Sequence, residues 1–339
     1  MFKKWNFKYA ITSFLLIIMM IGLAACSSSE ADSANNDANA ESELPENYPD
    51  KEIKAMVGFE AGGGQDVIMR TAGEILNEEN IMDEPFVVEN KPGAGGILAA
   101  KEVAKQKDDS YLLQVMPEYG AGWDPRSDLD YNDFKPVSAI ATSDIYIVVR
   151  ADSPYDSVNE LFDALKEDDD LTISTLGPAD GGEAFKWDQL RELIGADQLN
   201  FVPMEGAVDS FTAVLSGQVD VTFGVLPVIK DYVKKEEVKV LAVLSEERTE
   251  DLPDVPTLKE SDIDFAYSRF TGIWTGADVS DAVVDYWDEK LQELTETEAW
   301  DTFLENRGLT PFYKDREEYT ELVETEGSDF ADYVENLEE

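Results

Sequence analysis

The 339-residue sequence contains no histidine and a single cysteine, Cys26, and its 27 Lys and Arg residues are outnumbered by 73 Asp and Glu. Without histidine there is no Ser-His-Asp or Cys-His catalysis, none of the usual zinc sites, and little proton shuttling near neutral pH. One cysteine permits no intrachain disulfide. An enzyme built on this chain would rest on carboxylates, lysine or tyrosine, and no motif selects a pair of acids at a working separation. The formal charge of −46 argues against a nucleic-acid partner. So acidic a surface suits a saline or alkaline exterior, where salt screens its self-repulsion. The midpoint of thermal unfolding is therefore expected to climb from low to molar sodium chloride; a flat or falling curve would contradict this reading. Global disorder is excluded, because 43% of the residues are apolar, enough to build a core.

The N-terminus has the layout of an export signal: Lys3, Lys4 and Lys8, an apolar run from Ala10 to Leu23, then small residues and the cysteine. The apolar run falls short of the roughly 20 residues that a membrane span needs. Leu23-Ala24-Ala25-Cys26 resembles a bacterial lipobox, so residues 1–25 are expected to be removed and Cys26 to be acylated. Losing the three lysines takes the formal charge from −46 to −49. From Ser27 to about Asn47 the composition is Ser, Ala, Asn, Asp and Glu, which cannot bury enough surface to fold, so residues 26–47 read as a lipidated tether.

Beyond Tyr48-Pro49 short apolar runs alternate with helical periodicity. Strands are expected at Ile53–Phe59, Phe86–Glu89 and Tyr111–Met116, with helices from Val67 and at Ile97–Lys105, and a long extended run covers Val137–Arg150. A second set follows a helix opened by the capping box Ser157-x-x-Glu160. Its strands fall at Leu171–Thr175, Asn200–Met204, Val219–Gly224 and Val238–Val243, with a helix at Asp209–Leu215 stopped near Gly217 and another begun by Pro227. Strand-helix-strand order means parallel α/β units, here in two sheets. The organisation expected is a two-lobed α/β clamp, with residues 48–142 plus 246–339 as lobe one and 143–245 as lobe two.

Two strand-to-helix loops are rich in glycine. Phe59-Glu60-Ala61-Gly62-Gly63-Gly64-Gln65-Asp66 suits an anion, because glycine lets successive N–H groups turn toward one point and the helix dipole adds positive potential. Asp66 reads as its N-cap. The loop has no Gly-Lys-Ser/Thr and is not a Walker loop. The second loop is Val88-Glu89-Asn90-Lys91-Pro92-Gly93-Ala94-Gly95-Gly96. Asp168-Asp169-Asp170 and the Glu-rich end at Glu335–Glu339 lack the spacing and glycine of a calcium loop, and no metal or cofactor is expected.

Together with Tyr48-Pro49, Phe134-Lys135-Pro136-Val137-Ser138, Leu215-Ser216-Gly217-Gln218-Val219-Asp220 and Leu252-Pro253-Asp254-Val255-Pro256-Thr257, these loops resemble the TctC-like, or Bug, family of tripartite tricarboxylate transporter binding proteins. The likeness runs in order over nearly the whole chain after the tether. It implies a two-lobed periplasmic-binding-protein fold of the type II, Venus-flytrap kind. It also implies a small carboxylate held between the lobes, and partners in one large and one small integral membrane subunit; a sensor feeding a membrane kinase is the alternative. The grip it implies comes from the first glycine loop and from Ser174-Thr175-Leu176-Gly177-Pro178-Ala179-Asp180-Gly181-Gly182 in lobe two. The chain departs from the family where Ser-His is common, having Asp180-Gly181, and at Glu60 and Met204-Glu205-Gly206-Ala207.

Two site models follow. In one, backbone amides of Gly63, Gly64, Ala179 and Asp180 hold the carboxylate while Lys186 or Arg269 supplies charge. In the other, Asp180 or Glu205 receives an ammonium or hydroxyl at the ligand's far end. Phe59, Gly62, Gln65, Asp66, Tyr119 and Gly177 complete the candidate lining, with Trp123 as a further aromatic.

Overall fold

The computed structural model describes residues 44–93, 96–117, 123–168, 170–204 and 206–337. Cys26 and its lipobox, Tyr119 and Glu205 lie outside the described residues. The first sheet is built from parallel strands β1 (Ile53–Val57), β2 (Phe86–Asn90) and β3 (Leu112–Pro117), which alternate with helices α1 (Gly64–Glu78) and α2 (Ile97–Lys105). The 17-residue strand β4 (Phe134–Arg150) leads into α3 (Val158–Glu167) and a second parallel set. That set comprises β5 (Thr172–Leu176), α4 (Gly182–Ile194), β6 (Asn200–Met204), α5 (Ala207–Ser216), β7 (Val221–Val225), α6 (Leu226–Lys234) and β8 (Val238–Val243). The chain then returns to the first sheet through β9 (Ser268–Gly276), α7 (Asp281–Thr295), α8 (Glu298–Arg307), β10 (Thr310–Lys314) and α9 (Arg316–Leu337).

The two sheets expected from the sequence share a strand. Residues 134–144 of β4 pair with β9, and β10 also lies along this half; residues 145–150 pair with β7 and β8. The order is therefore β2-β1-β3-β9-β4-β7-β5-β6, with β8 and β10 also on β4. Alternation along β4 explains how it serves four layers at once. Ile145, Ile147 and Val149 enter a core with α3 and α4, where Trp187 stacks on Phe223 at 4.2 Å. Tyr146 and Val148 face α5 and α6. In the first sheet Ile53, Ala55 and Val57 pack on α1, α7 and α8, and Met56 and Met116 face α2 and α9. Tyr48 is buried in the first of these cores, where Trp287 Nε1 donates to its hydroxyl at 2.8 Å. Leu258 and Tyr267 pack into the core of the second sheet, so the returning chain leaves that core only at β9, beyond the return expected at residue 246.

Local chemistry sets the helix boundaries. Gly217, at φ +72°, ends α5, and Ser157 Oγ accepts from Glu160 N at the start of α3. Glu160 completes that cap by accepting from Asp156 N rather than from Ser157 N. No described helix is long and apolar enough to cross a membrane.

Candidate functional site

Register places the site. Pro117, the last residue of β3, faces Thr271, which faces Ala141 of β4; from the other side Val225, the last residue of β7, faces Ile145. The carboxyl ends of both parallel sets thus converge on residues 141–145 of one strand. Crevices at the carboxyl ends of parallel strands are where α/β sheets hold ligands. The glycine loops of β1 and β2 lie against each other here: a Cβ on Gly58 would sit 2.6 Å from Gly96 Cα, and Asn90 Nδ2 donates to Phe59 O at 3.1 Å. Phe59 is half-buried beside Gly96.

Of the five helices that start at these strand ends, four have glycine at the N-cap with no side-chain cap: Gly63 for α1, Gly96 for α2, Gly181 for α4 and Gly206 for α5; the fifth, α6, has Val225 there. Of the helices away from the convergence, α3 and α8 are capped by Ser157 and Thr297, whose hydroxyls consume a first-turn N–H, while α7, after Ser280, has no side-chain cap. The first-turn amides of a helix have no intrahelical acceptor. Glycine caps leave them open, with the positive end of each helix dipole behind them.

Which amides are open differs from the expectation. Gly63 N–H is spent on Glu60 O at 3.1 Å, and Gly62 N–H on Asp66 Oδ2 at 2.8 Å. In lobe two, Gly177 N–H goes to Met204 O and Gly181 N–H to Pro178 O. Gly64, Gln65 and Asp66 in α1, and Gly182, Glu183 and Ala184 in α4, head their helices. Gly62 and Gly177 carry the positive φ, +83° and +81°; Gly63, at −71°, does not. A Cβ on Gly64 or Gly177 would meet nothing within 4 Å. Gly64 thus matters for the open space in front of the helix rather than for its backbone angle.

Asp66 is the third residue of α1, not its N-cap. It is 2% exposed, pairs with Arg70 at 2.8 Å and accepts from Gly62 N–H. Burial opposes its charge, but Arg70 and the Gly62 amide outweigh burial and hold its carboxyl below the usual range. Arg70 in turn donates to Asn90 Oδ1 at 2.9 Å, tying α1 to the second glycine loop. Gln65 Oε1 is buried in the same turn without a partner.

The cations are committed. Lys186, expected as a source of cleft charge, is 3% exposed and paired with Glu326 of α9, its ammonium 5.4 Å from the Tyr267 ring. Arg269, on β9, binds Glu183 at 2.8 Å, and Glu183 Oε1 also accepts from Leu176 N at 2.9 Å. Asp180 meets Arg126, a residue no sequence motif singled out. Arg126 Nη1 donates to Asp180 Oδ2 at 2.6 Å while its Nε and Nη2 grip Asp124 at 2.9 Å. Burial works to raise the Asp124 carboxyl, yet the Arg126 hydrogen bonds hold it low. Ala179 is exposed beside this pair. Trp123 is a packed aromatic, 4.8 Å from Tyr131 and against Gly327 of α9. These ion pairs join the start of α4, or the loop before it, to β9, to α9 and to the loop after β3. Among the described residues no group of three or more acids, cysteines or histidines has the arrangement of a metal site. A depression of about 700 Å³ lined by Asp288, Arg316 and Glu321 takes no residue from the strand-end loops.

The model of the tripartite tricarboxylate transporter family receptor, TctC, matches residues 68–337. The chain belongs to this family. TctC receptors bind solutes and are not enzymes. Among curated relatives, the UPF0065 protein in the gbd 5′ region of Cupriavidus necator is 27% identical over 285 residues, 81% of this chain and 84% of its own. The fold agrees with a TctC solute-binding protein from Polaromonas (TM-score 0.71, 22% identity, 85% of this chain and 99% of that one). It also agrees with MatC of Rhodopseudomonas palustris with bound malate (TM-score 0.70, 22% identity, 85% and 100%). A further R. palustris protein, with adipate, has TM-score 0.71 at 20% identity over 85% and 98%. These likenesses make the TctC chain described here a two-lobed binding protein in fold.

Proposed function

We propose that this TctC receptor is an extracytoplasmic lipoprotein that closes on a small carboxylate and delivers it to a membrane transporter of one large and one small integral subunit. The observation that carries the reading is the set of glycine-capped helix starts converging on the middle of β4, whose open amides form an anion-seeking surface. Relatives solved with malate and with adipate support a carboxylate as the anion. The grip comes from first-turn amides of α1, at Gly64 and Gln65, and from Ala179 and Asp180 in the loop before α4. A thermal-shift screen against a carboxylate panel tests this, since a ligand at 100 times its Kd adds about 2.7 kcal/mol. A panel in which no carboxylate moves the midpoint would end the proposal.

Anchoring rests on Leu23-Ala24-Ala25-Cys26 and the polar stretch behind it. Cys26→Ala is expected to abolish incorporation of a labelled lipid precursor and to release the protein from the membrane. Undiminished labelling of the variant would rule the anchor out.

A further inference from the structure

Arg126 and Asp180 sit on loops that leave different sheets. Arg126 follows β3 of the first sheet and stands on a firm base: Trp123 packs on Tyr131 and against Gly327 of α9, Ser127 is buried, and Ser127 N donates to Asp124 O at 2.9 Å. Asp124 sets the direction of the guanidinium. Its carboxylate accepts from Arg126 N, Nε and Nη2, each at 2.9 Å, which leaves Nη1 for Asp180 Oδ2 at 2.6 Å. Arg126 Nη2 also reaches Asp180 O at 3.4 Å, so Asp180 is held by side chain and main chain together, two residues before α4 begins at Gly182. The ion pairs around α4 differ in depth. Lys186 and Glu183, 4% and 5% exposed, are seated in the core, whereas Arg126 and Asp180 are 33% and 48% exposed. Water can take the place of each partner as Arg126 and Asp180 part, which makes theirs the contact that breaks and remakes easily.

Resting on the carboxylate reading above, we propose that Arg126 is a positioning residue of the ligand site: steered by Asp124, it latches Asp180, holds the start of α4 in its gripping arrangement, and sets the rate at which bound ligand leaves. A ligand enters while the latch is open, so a contact made on closing slows exit more than entry. Two carboxylates around one guanidinium also fix what its loss does. Without Arg126, Asp124 and Asp180 face the vacated position from either side, and the loop before α4 is pushed away rather than merely freed.

Two measurements on the purified full chain test the proposal: hydrogen–deuterium exchange without ligand, and release of a radiolabelled probe chased by the unlabelled acid. The probe is the tightest binder among malate, adipate, citrate and benzoate. Arg126→Gln is expected to speed exchange of the amides of residues 179–184 by about tenfold, to raise koff by about tenfold, and to leave kon within about threefold. Adding Asp124→Asn should recover part of both losses, because the loop is then freed without being repelled. Arg126→Lys, a point charge in place of a fork, should fall between wild type and Arg126→Gln. Raising sodium chloride from low to molar should speed release from wild type more than from Arg126→Gln, which has no latch to screen. An arginine with a merely structural role would instead lower the unfolding midpoint and leave koff and its salt dependence unmoved. Unchanged exchange at residues 179–184 in Arg126→Gln overturns the positioning role, with or without a ligand. Faster exchange with an unchanged koff overturns the link to release. Failure of all four acids to bind the wild type overturns the carboxylate reading, and exchange alone then decides whether Arg126 holds the loop.

Discussion

Gly64→Val is expected to weaken carboxylate binding about a hundredfold while the fold survives. The valine Cβ meets no atom within 4 Å, so no packing is disturbed, and the backbone there is not in the left-handed region, so no strain arises. The branched side chain fills the space in front of the α1 amides, where the ligand must approach to within hydrogen-bond distance. Losing one wall of the grip should cost about 3 kcal/mol, on the order of a hundredfold in Kd. Circular dichroism and the unfolding midpoint should stay near wild type. Lys186→Ala gives the reverse pattern. Its ammonium is buried against Glu326 and two aromatic rings, so its loss lowers stability by about 2 kcal/mol and changes affinity by no more than roughly fivefold. Normal binding by Gly64→Val, together with loss of binding in a folded Lys186→Ala, would mean that a specific cation holds the carboxylate.

Gly272→Ala should be among the most damaging single-methyl additions available to this chain. Gly272 lies on β9 beneath α9, and a Cβ there would fall 1.6 Å from the Tyr319 hydroxyl oxygen and 2.4 Å from its ring. Tyr319 cannot slide aside: it is fully buried, edge-on to Trp274 at 5.5 Å and to Phe270 at 5.9 Å. The helix must lift instead, and overpacking of this kind costs about 3 kcal/mol. A chain of this size should lose on the order of 10 °C in its unfolding midpoint. Adding Tyr319→Phe removes the atom in closest conflict and should recover a third or more of the loss, a coupling that a double-mutant cycle measures. An unchanged midpoint for Gly272→Ala would mean that α9 does not pack here as described.

The elements were legible where local chemistry decides them. The β6, β8 and α2 boundaries coincide with the periodicity, Gly217 stops α5 as a left-handed C-cap must, and Ser157 opens α3. Asp66 misled because aspartate is a strong N-cap in isolation. Here the glycines before it let the helix begin earlier, and Arg70 one turn on engages the carboxylate from within the helix. The sharing of β4 between sheets was hidden for another reason: a strand buried on both faces reads as one apolar run whatever its neighbours are. At the site, the glycine loops could be read, but the fate of the charges could not. Arg126 finds Asp180 across 54 residues and Lys186 finds Glu326 across 140, separations over which spacing carries no signal. The only hint of Arg126 was its position in the loop after β3, at the end of the sheet where ligands bind.

The return of β9 to the first sheet bears on the order in which the chain can assemble. β4 through Tyr267 is nearly contiguous and supplies the second core from within, whereas the first core needs Tyr48 and Trp287 in the same cluster. A chain made from its N-terminus therefore exposes β1–β3 early, as three parallel strands lacking the β9 partner of β3 and the α7 cover of their face. The second half can close first, and the earliest residues must wait for the last hundred. Such long-range closure is slow and leaves open strand edges in the interim. The surplus of acidic side chains then acts before folding is complete, keeping neighbouring half-made chains apart.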